Sequence, residues 1–323
     1  MRDLLATYYG IQANERTVWN GVEGLKHNNI VYFTISADQR EIIHMEQAAL
    51  AYYLYENNYT QTAIPVPNRK GDWYTEYNNK NHMVFQLEDK PFDSSEVHGA
   101  SLAHFHQTGS RYQYEPQAIS SYGQWKQLWI DKLTAFEKQI EVDSAEYPNA
   151  YYRLLIDVLP YIIGISENAI QYMQESEYES RFHEVDQGTI AFRRYQGELG
   201  KSTIWTTDLV YDHPIRDLAE YIRFKLLKHE DPMNEIKVFL DEYKQVRTLS
   251  IFSWRLLYAR LLYPIHLFDI IERGFIEQQY EQRYDELNEM LEHQSIYEDR
   301  LGKLFAHLGI DSKELQIPML HWL

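Results

Sequence analysis

The sequence contains no cysteine in its 323 residues. That excludes a disulfide scaffold, thiolate zinc sites, iron–sulfur clusters and a cysteine nucleophile, and it fits a reducing compartment. Basic residues are scarce, 31 against 48 acidic, for a net charge of -17. Such a surface repels phosphate backbones and anionic lipid, so neither nucleic acid nor a membrane surface is expected as a partner. No run of about 18 apolar residues, the length a membrane span needs, occurs. The most apolar C-terminal stretch, Leu256 to Phe268, is interrupted by Arg260 and His266 and reads as a buried helix. Met1-Arg2-Asp3-Leu4-Leu5 carries an acid early and lacks a long apolar core, so no signal peptide is expected.

What is present is an ordinary globular composition, 44% hydrophobic, with one excess: 27 tyrosines against 13 phenylalanines. A tyrosine ring buries well but its hydroxyl needs a partner. Composition favours a polar-rich core over a surface made for contacts or cross-linking.

The first 90 residues read as strand-rich. Ile30 to Ser36 is a β-branched and aromatic run, hence a buried strand. Asp38 and Glu41 have the spacing of a capping box. Ile42, Met45, Ala49, Leu50, Tyr53 and Leu54 then recur at helical spacing. Ile64 to Pro67 is extended. Trp73 to Tyr77 and His82 to Leu87 read as strands joined through Asn78 to Asn81. Beyond this the chain is mostly helical: Ser94 to Thr108, Tyr122 to Ile140, and Ala150 to Ser176 with a kink or break expected at Pro160. A strand-and-turn interlude covers Phe182 to Thr207, and helices resume at Pro214. The order predicts a small lobe over 1–90 and a large helical lobe over 91–323, with a hinge near Leu87 to Pro91.

The informative residues lie in the second part. They are Leu102-Ala103-His104-Phe105-His106, then His183-Glu184-Val185-Asp186-Gln187-Gly188-Thr189-Ile190, then Ile204-Trp205-Thr206-Thr207-Asp208, then Tyr211-Asp212-His213-Pro214-Ile215-Arg216-Asp217-Leu218-Ala219. Their order and spacing resemble the aminoglycoside phosphotransferase and choline kinase branch of the protein-kinase-like fold. Within it the chain is most similar to the bacterial spore coat kinase-like proteins, the CotS group. Phe105-His106-Gln107 and the late Trp254-Arg255-x-x-Tyr258-Ala259-Arg260-Leu261-Leu262-Tyr263-Pro264 add to the resemblance. It implies an α+β bilobal fold, with a small antiparallel-sheet lobe and a large helical lobe.

The family's catalytic loop reads His-Gly-Asp-x-x-x-x-Asn-Ile. Alignment on Gly188 and Ile190 sets Glu184 at the catalytic aspartate and Thr189 at the metal-binding asparagine. Glutamate extends the carboxylate by a methylene, and a misplacement near 1 Å can cost on the order of a hundredfold. Counting back the family's twelve positions from Asp217 reaches Trp205, and indole does not ligate magnesium. Asp186 and Asp208 are carboxylates out of register. Thr34 occupies the place of the strand lysine, and Lys26 belongs by position to the preceding turn. Gly21 and Gly24 read as a hairpin turn rather than a phosphate loop, with Glu23 set to repel phosphate. Without the lysine, Glu46 reads as an exposed acid.

Other readings are structural. Asp217 caps a helix while anchoring the catalytic-loop backbone, His106 is a buried hydrogen-bonding histidine, and Trp205 is a core plug. His104 and His106 lie two apart and cannot chelate together. Ser202, His213 and Asp217 lack a nucleophile elbow. The resemblance with its altered motifs implies a spore coat-associated pseudokinase. It would be made in the mother-cell cytoplasm and recruited to the coat by other coat proteins, with no cofactor and with homo-oligomerisation left open. The alternatives are a small-molecule phosphotransferase and a nucleotide-binding sensor. The former would use ATP and magnesium, with Glu184 as base and Asp208 or Asp186 with Thr189 on the metal.

Overall fold

Asparagine sets the turns of the N-terminal sheet. The computed structural model describes residues 1–37, 40–90, 98–178, 184–311 and 313. A helical turn, α1 (Arg2–Leu4), leads into β1 (Glu15–Trp19), β2 (Val22–His27) and β3 (Ile30–Ser36). Helix α2 (Glu41–Glu56) and strands β4 (Thr62–Val66), β5 (Thr75–Tyr77) and β6 (Lys80–Glu88) follow. Asn20 and Gly21 both have positive φ between β1 and β2, as do Asn78 and Asn79 between β5 and β6. Two consecutive left-handed residues make the type I′ turn, whose twist matches the strands it joins.

The chain divides into two compact units, residues 1–120 with 188–212 and residues 121–187 with 213–323. The first holds the strands above with α3 (Gly99–Gly109), and later β7 (Thr189–Phe192), β8 (Ile204–Trp205) and β9 (Leu209–Asp212). Its main sheet runs β1-β2-β3-β6-β4-β8, with β5 on β6. Pairing is antiparallel except between β4 and β8, where Ala63 lies beside Trp205. Strand alternation splits the core. Leu25, Tyr32 and Val84 join Leu4 and Leu5 on one side, and Val31, Phe33, Met83, Phe85 and Leu87 pack on the other.

Several expectations change here. Lys26 lies inside β2 rather than in a turn, paired with Asp89. Gly24 also lies within β2, where an added Cβ would sit 2.9 Å from Val31 Cγ1. The apolar face read for α2 is divided: Leu50 and Leu54 are buried, whereas Ile42, Met45 and Ala49 are exposed and His44 and Gln47 take buried places. Asp38, proposed as a cap for this helix, lies outside the described residues.

The second unit is helical. It contains α4 (Trp125–Glu146), α5 (Ala150–Tyr178), α6 (Ile215–Lys228), α7 (Met233–Val246), α8 (Ile251–Leu262), α9 (Ile265–Glu277) and α10 (Tyr280–His307). Helix α5 runs on through Pro160 instead of breaking. Proline removes the bond to the carbonyl four residues back. That carbonyl belongs to Ile156, an exposed residue, so water can take its place. The stretch Leu256 to Phe268 is two helices, α8 and α9, divided at Pro264. By length and composition α5 is the one described helix apolar enough to cross a membrane; it packs against α4, α8 and α10.

Part of the tyrosine excess goes inward. Tyr151, Tyr152, Tyr195, Tyr243, Tyr263 and Tyr297 are fully buried. Three of these hydroxyls donate to main-chain carbonyls, Tyr151 to Ile271 and Tyr263 to Trp129 at 3.3 Å and Tyr297 to Leu261 at 2.6 Å, and Tyr152 donates to the Asp143 carboxylate at 2.9 Å. Arg260 stacks 4.3 Å from the Trp125 ring and pairs with Glu220 at 3.1 Å, while Glu220 also holds Arg223 at 3.0 Å. These contacts account for Arg260 in the mostly buried α8.

Candidate functional site

The antiparallel ladder of β7 and β9 places Thr189 directly opposite Asp212. Both residues are buried. Paired residues on adjacent strands have Cα atoms about 4.5–5.5 Å apart, close enough for two side chains to share one ion. Sequence reasoning did not single out Asp212. It stands five residues before Asp217, not twelve, so a count along the chain passes it by.

Thr189 is held from the other side as well. Its hydroxyl donates to the His106 carbonyl at 2.9 Å, at the end of α3. His106 is buried, and its carbonyl also accepts from Ser110. Gly109 permits this approach: a Cβ there would meet Thr189 Oγ1 and come within 2.6 Å of the Ile190 amide nitrogen. Trp205 sits elsewhere, on β8 beside β4. Its indole meets Phe33 edge-on at 5.2 Å and Phe85 at 6.2 Å, in the apolar core of the sheet. Asp208 is exposed on the turn before β9, and its carbonyl accepts from the Arg193 amide at 2.8 Å.

In the second unit, Glu184 is exposed at the start of a short helical turn, Glu184–Asp186. His183 lies outside the described residues. Asp186 is fully buried and its oxygens are spent on protein donors: Ser253 at 2.6 Å, Ser250 at 2.8 Å and His213 Nε2 at 3.3 Å. The Ile215 amide donates to His213 Nδ1, so the proton sits on Nε2 and His213 donates to Asp186. Burial alone pushes the Asp186 carboxyl up. The hydrogen bonds from His213, Ser253 and Ser250 outweigh it and hold the pKa below the ordinary aspartate value. Ser250 also caps α8 through the Ser253 amide at 2.9 Å, so Asp186 ties its own turn to that helix start. Arg247 adds a bond to the Val185 carbonyl at 2.8 Å. Asp217 is buried in the first turn of α6, where a carboxylate suits the helix dipole.

Thr34 is half-buried on β3, opposite Val84 on β6, and brings no charge. Glu46 is not the exposed acid expected. It is half-buried, and its carboxylate accepts three consecutive main-chain amides: Gln117 at 2.8 Å, Ala118 at 2.9 Å and Ile119 at 3.0 Å. Ile119 in turn accepts from the Tyr211 amide, so this segment lies along β9. Glu46→Ala returns the three amides to solvent. It is expected to cost about 1–2 kcal/mol in urea unfolding and to speed hydrogen exchange at 117–119. Unchanged exchange there would refute the anchor.

Phosphoryl transfer places a lysine on the phosphates, oxygen ligands on magnesium and a base near the acceptor. Here one carboxylate and one hydroxyl face each other at Asp212 and Thr189, without a lysine at Thr34. Among the described residues no three His, Asp or Glu side chains converge to hold a metal. Among the described residues, those at the aligned positions do not make up the set that phosphoryl transfer places on nucleotide and metal.

The sequence profile of the family described as "Spore coat putative kinase YutH" matches residues 2–304. The chain belongs to this YutH family. It is 32% identical to the endospore coat-associated protein YutH of Bacillus subtilis (strain 168) over 98% of this chain and 96% of that protein. Solved structures give the fold of the family member described here. An aminoglycoside phosphotransferase from Alicyclobacillus acidocaldarius covers 92% of this chain and 93% of its own, at 12% identity and a TM-score of 0.56. An AMP-bound spectinomycin phosphotransferase covers 92% and 96%, at 12% identity and a TM-score of 0.58. The YutH family chain therefore has the kinase-like fold of the aminoglycoside phosphotransferase and choline kinase type.

Proposed function

We propose that this chain is a spore coat-associated pseudokinase, a non-catalytic scaffold that keeps the kinase-like fold. It is made in the mother-cell cytoplasm and recruited to the coat through contacts with other coat proteins. The observation that carries the reading is Glu46. By resemblance this is the helix glutamate that a kinase sets against its strand lysine. Here the strand offers Thr34, and the carboxylate is committed to the amides of 117–119. A charge that would order a phosphate-binding lysine instead fixes a loop. The coat association of the Bacillus subtilis relative supports the setting.

One observation favours a second reading. Asp212 opposite Thr189 keeps an acid beside the residue that aligns with the metal-binding asparagine. That is compatible with a sensor that binds nucleotide without chemistry.

Thermal-shift titration separates the two. A ligand at about a hundred times its Kd stabilises a fold by roughly 2.7 kcal/mol, or a few degrees in Tm for a chain of this size. ATP, ADP and GTP, with or without magnesium or manganese, are expected to leave Tm unchanged. A metal-dependent rise that Asp212→Asn abolishes would overturn the scaffold reading in favour of the sensor. Turnover of ATP with an acceptor, lost in Glu184→Ala, would overturn both.

A further inference from the structure

The strand order β1-β2-β3-β6-β4-β8 leaves two edges, and side chains tie them together. At the tip of the β1–β2 hairpin, Trp19 Nε1 donates to the Thr203 hydroxyl at 2.8 Å. The Asn20 side-chain amide donates to the Ser202 hydroxyl at 2.7 Å. Both acceptors directly precede β8, on the far edge. The residues that follow are fastened to β4. The Ile204 amide donates to the Gln61 carbonyl at 2.9 Å, Trp205 lies beside Ala63, and the buried Thr206 hydroxyl donates to the Ala63 carbonyl. Trp19 and Trp205 both pack on the apolar cluster that holds Phe33 and Phe85, on the side of the sheet opposite Leu4 and Leu5. Residues 202–206 thus join the two edges and cover part of that apolar side.

We propose that residues 202–206 form a self-occluding strap, which fills this face of the sheet in place of a ligand, and that Trp19 and Asn20 are its latch. By resemblance the hairpin stands where the family sets its phosphate loop. Here two side-chain donors at its tip are taken by hydroxyls of the same chain. An indole of the same segment meets Phe33 and Phe85 edge-on, so a flat ring reaches those two side chains only when the strap lifts. The latch is the weak point of this closure. One of its two bonds is exposed and the other half-buried, and they hold a two-residue strand that pairs with β4 alone among the described strands. Few bonds open before many, so hairpin tip and strap open together while β3 and β6 stay paired. The strap fills this face in the free protein whether or not the chain is a scaffold.

Native-state hydrogen exchange on the full chain, with no nucleotide present, tests the latch. Trp19→Phe with Asn20→Gly removes both donors. Phenylalanine keeps a ring on the apolar cluster, and glycine suits the positive φ of residue 20. Exchange is expected to rise roughly tenfold or more in both the hairpin and residues 203–206, and to stay at the wild-type level in β3 and β6. Ser202→Ala with Thr203→Val removes both acceptors and should give the same rise in both places, because coupling between two segments is reciprocal. All four changes together should add little, since either pair already opens the latch. Each pair is a complete test, so a pair that fails to fold leaves the other to decide. A rise confined to the mutated segment, effects of the two pairs that add in full, or a strap that exchanges only with global unfolding would overturn the proposal. A failed latch would leave the scaffold reading, which nucleotide titration tests, as it stands.

Discussion

Asp186→Ala is expected to lower stability by about 3–5 kcal/mol at neutral pH. The carboxylate is fully buried and accepts from Ser250, Ser253 and His213. Its removal leaves up to three buried donors without their acceptor, at roughly 1–3 kcal/mol each, and opens a small void. Asp186→Asn fills the space and keeps one acceptor, so it should lose less. The effect depends on pH with a defined sign. The folded-state pKa lies below the ordinary value. The contribution of this group is therefore complete above its unfolded-state pKa of about 3.9 and is lost as pH falls through the lower folded-state value. Urea unfolding of wild type and Asp186→Ala should differ most at neutral pH, with the gap narrowing in acid as the titratable part is lost and the void term remains. A gap that stays constant down to the acid limb would show that the ionised carboxylate is not what holds Ser250 and Ser253.

Gly109→Ala is expected to cost about 3 kcal/mol, the upper range for overpacking. The added methyl would come within 2.6 Å of the Ile190 amide nitrogen and meet the Thr189 hydroxyl. A hydroxyl can rotate away, but a main-chain nitrogen inside a ladder cannot. The helix end must then lift from β7 and stretch the bond from Thr189 to the His106 carbonyl. Equilibrium unfolding measures the loss directly. A cost under about 1 kcal/mol would mean that α3 moves off β7 freely, and Thr189 would then lack a fixed position.

Both predictions concern residues whose importance is only partly visible in sequence. Asp186 stands out there as a misregistered acid, because its sequence neighbours match a catalytic loop. Its partners Ser250 and Ser253 lie more than sixty residues away, and no local pattern announces them. Gly109 reads as a helix end. Its role as the contact point for β7 depends on a strand eighty residues later. The strand of Ile30 to Ser36, the asparagine turns and the helices after residue 98 are legible because each rests on local periodicity and turn chemistry. Helix α5 continues through Pro160, whereas the stretch from Leu256 to Phe268 read as one helix is divided. The carbonyl freed by Pro160 sits at exposed Ile156, where water serves it, while Pro264 divides α8 from α9.

The sequence by itself determined the strand of Ile30 to Ser36, the hairpin through Asn78 and Asn79, the long helices after residue 98, the net acidity, and the motif string from His106 to Ala219 that carries the kinase-like fold. Those features are written in composition, hydrophobic period and spacing, each readable within a few turns or strands. Tertiary structure alone decided which acid faces Thr189 and what Glu46 holds. A count along the chain assumes a constant loop length and reaches Trp205, whereas cross-strand pairing chooses Asp212. Glu46 is committed to three main-chain amides, and amides look alike at every position of a sequence. Only the folding of residues 117–119 onto α2 makes those three converge on one carboxylate.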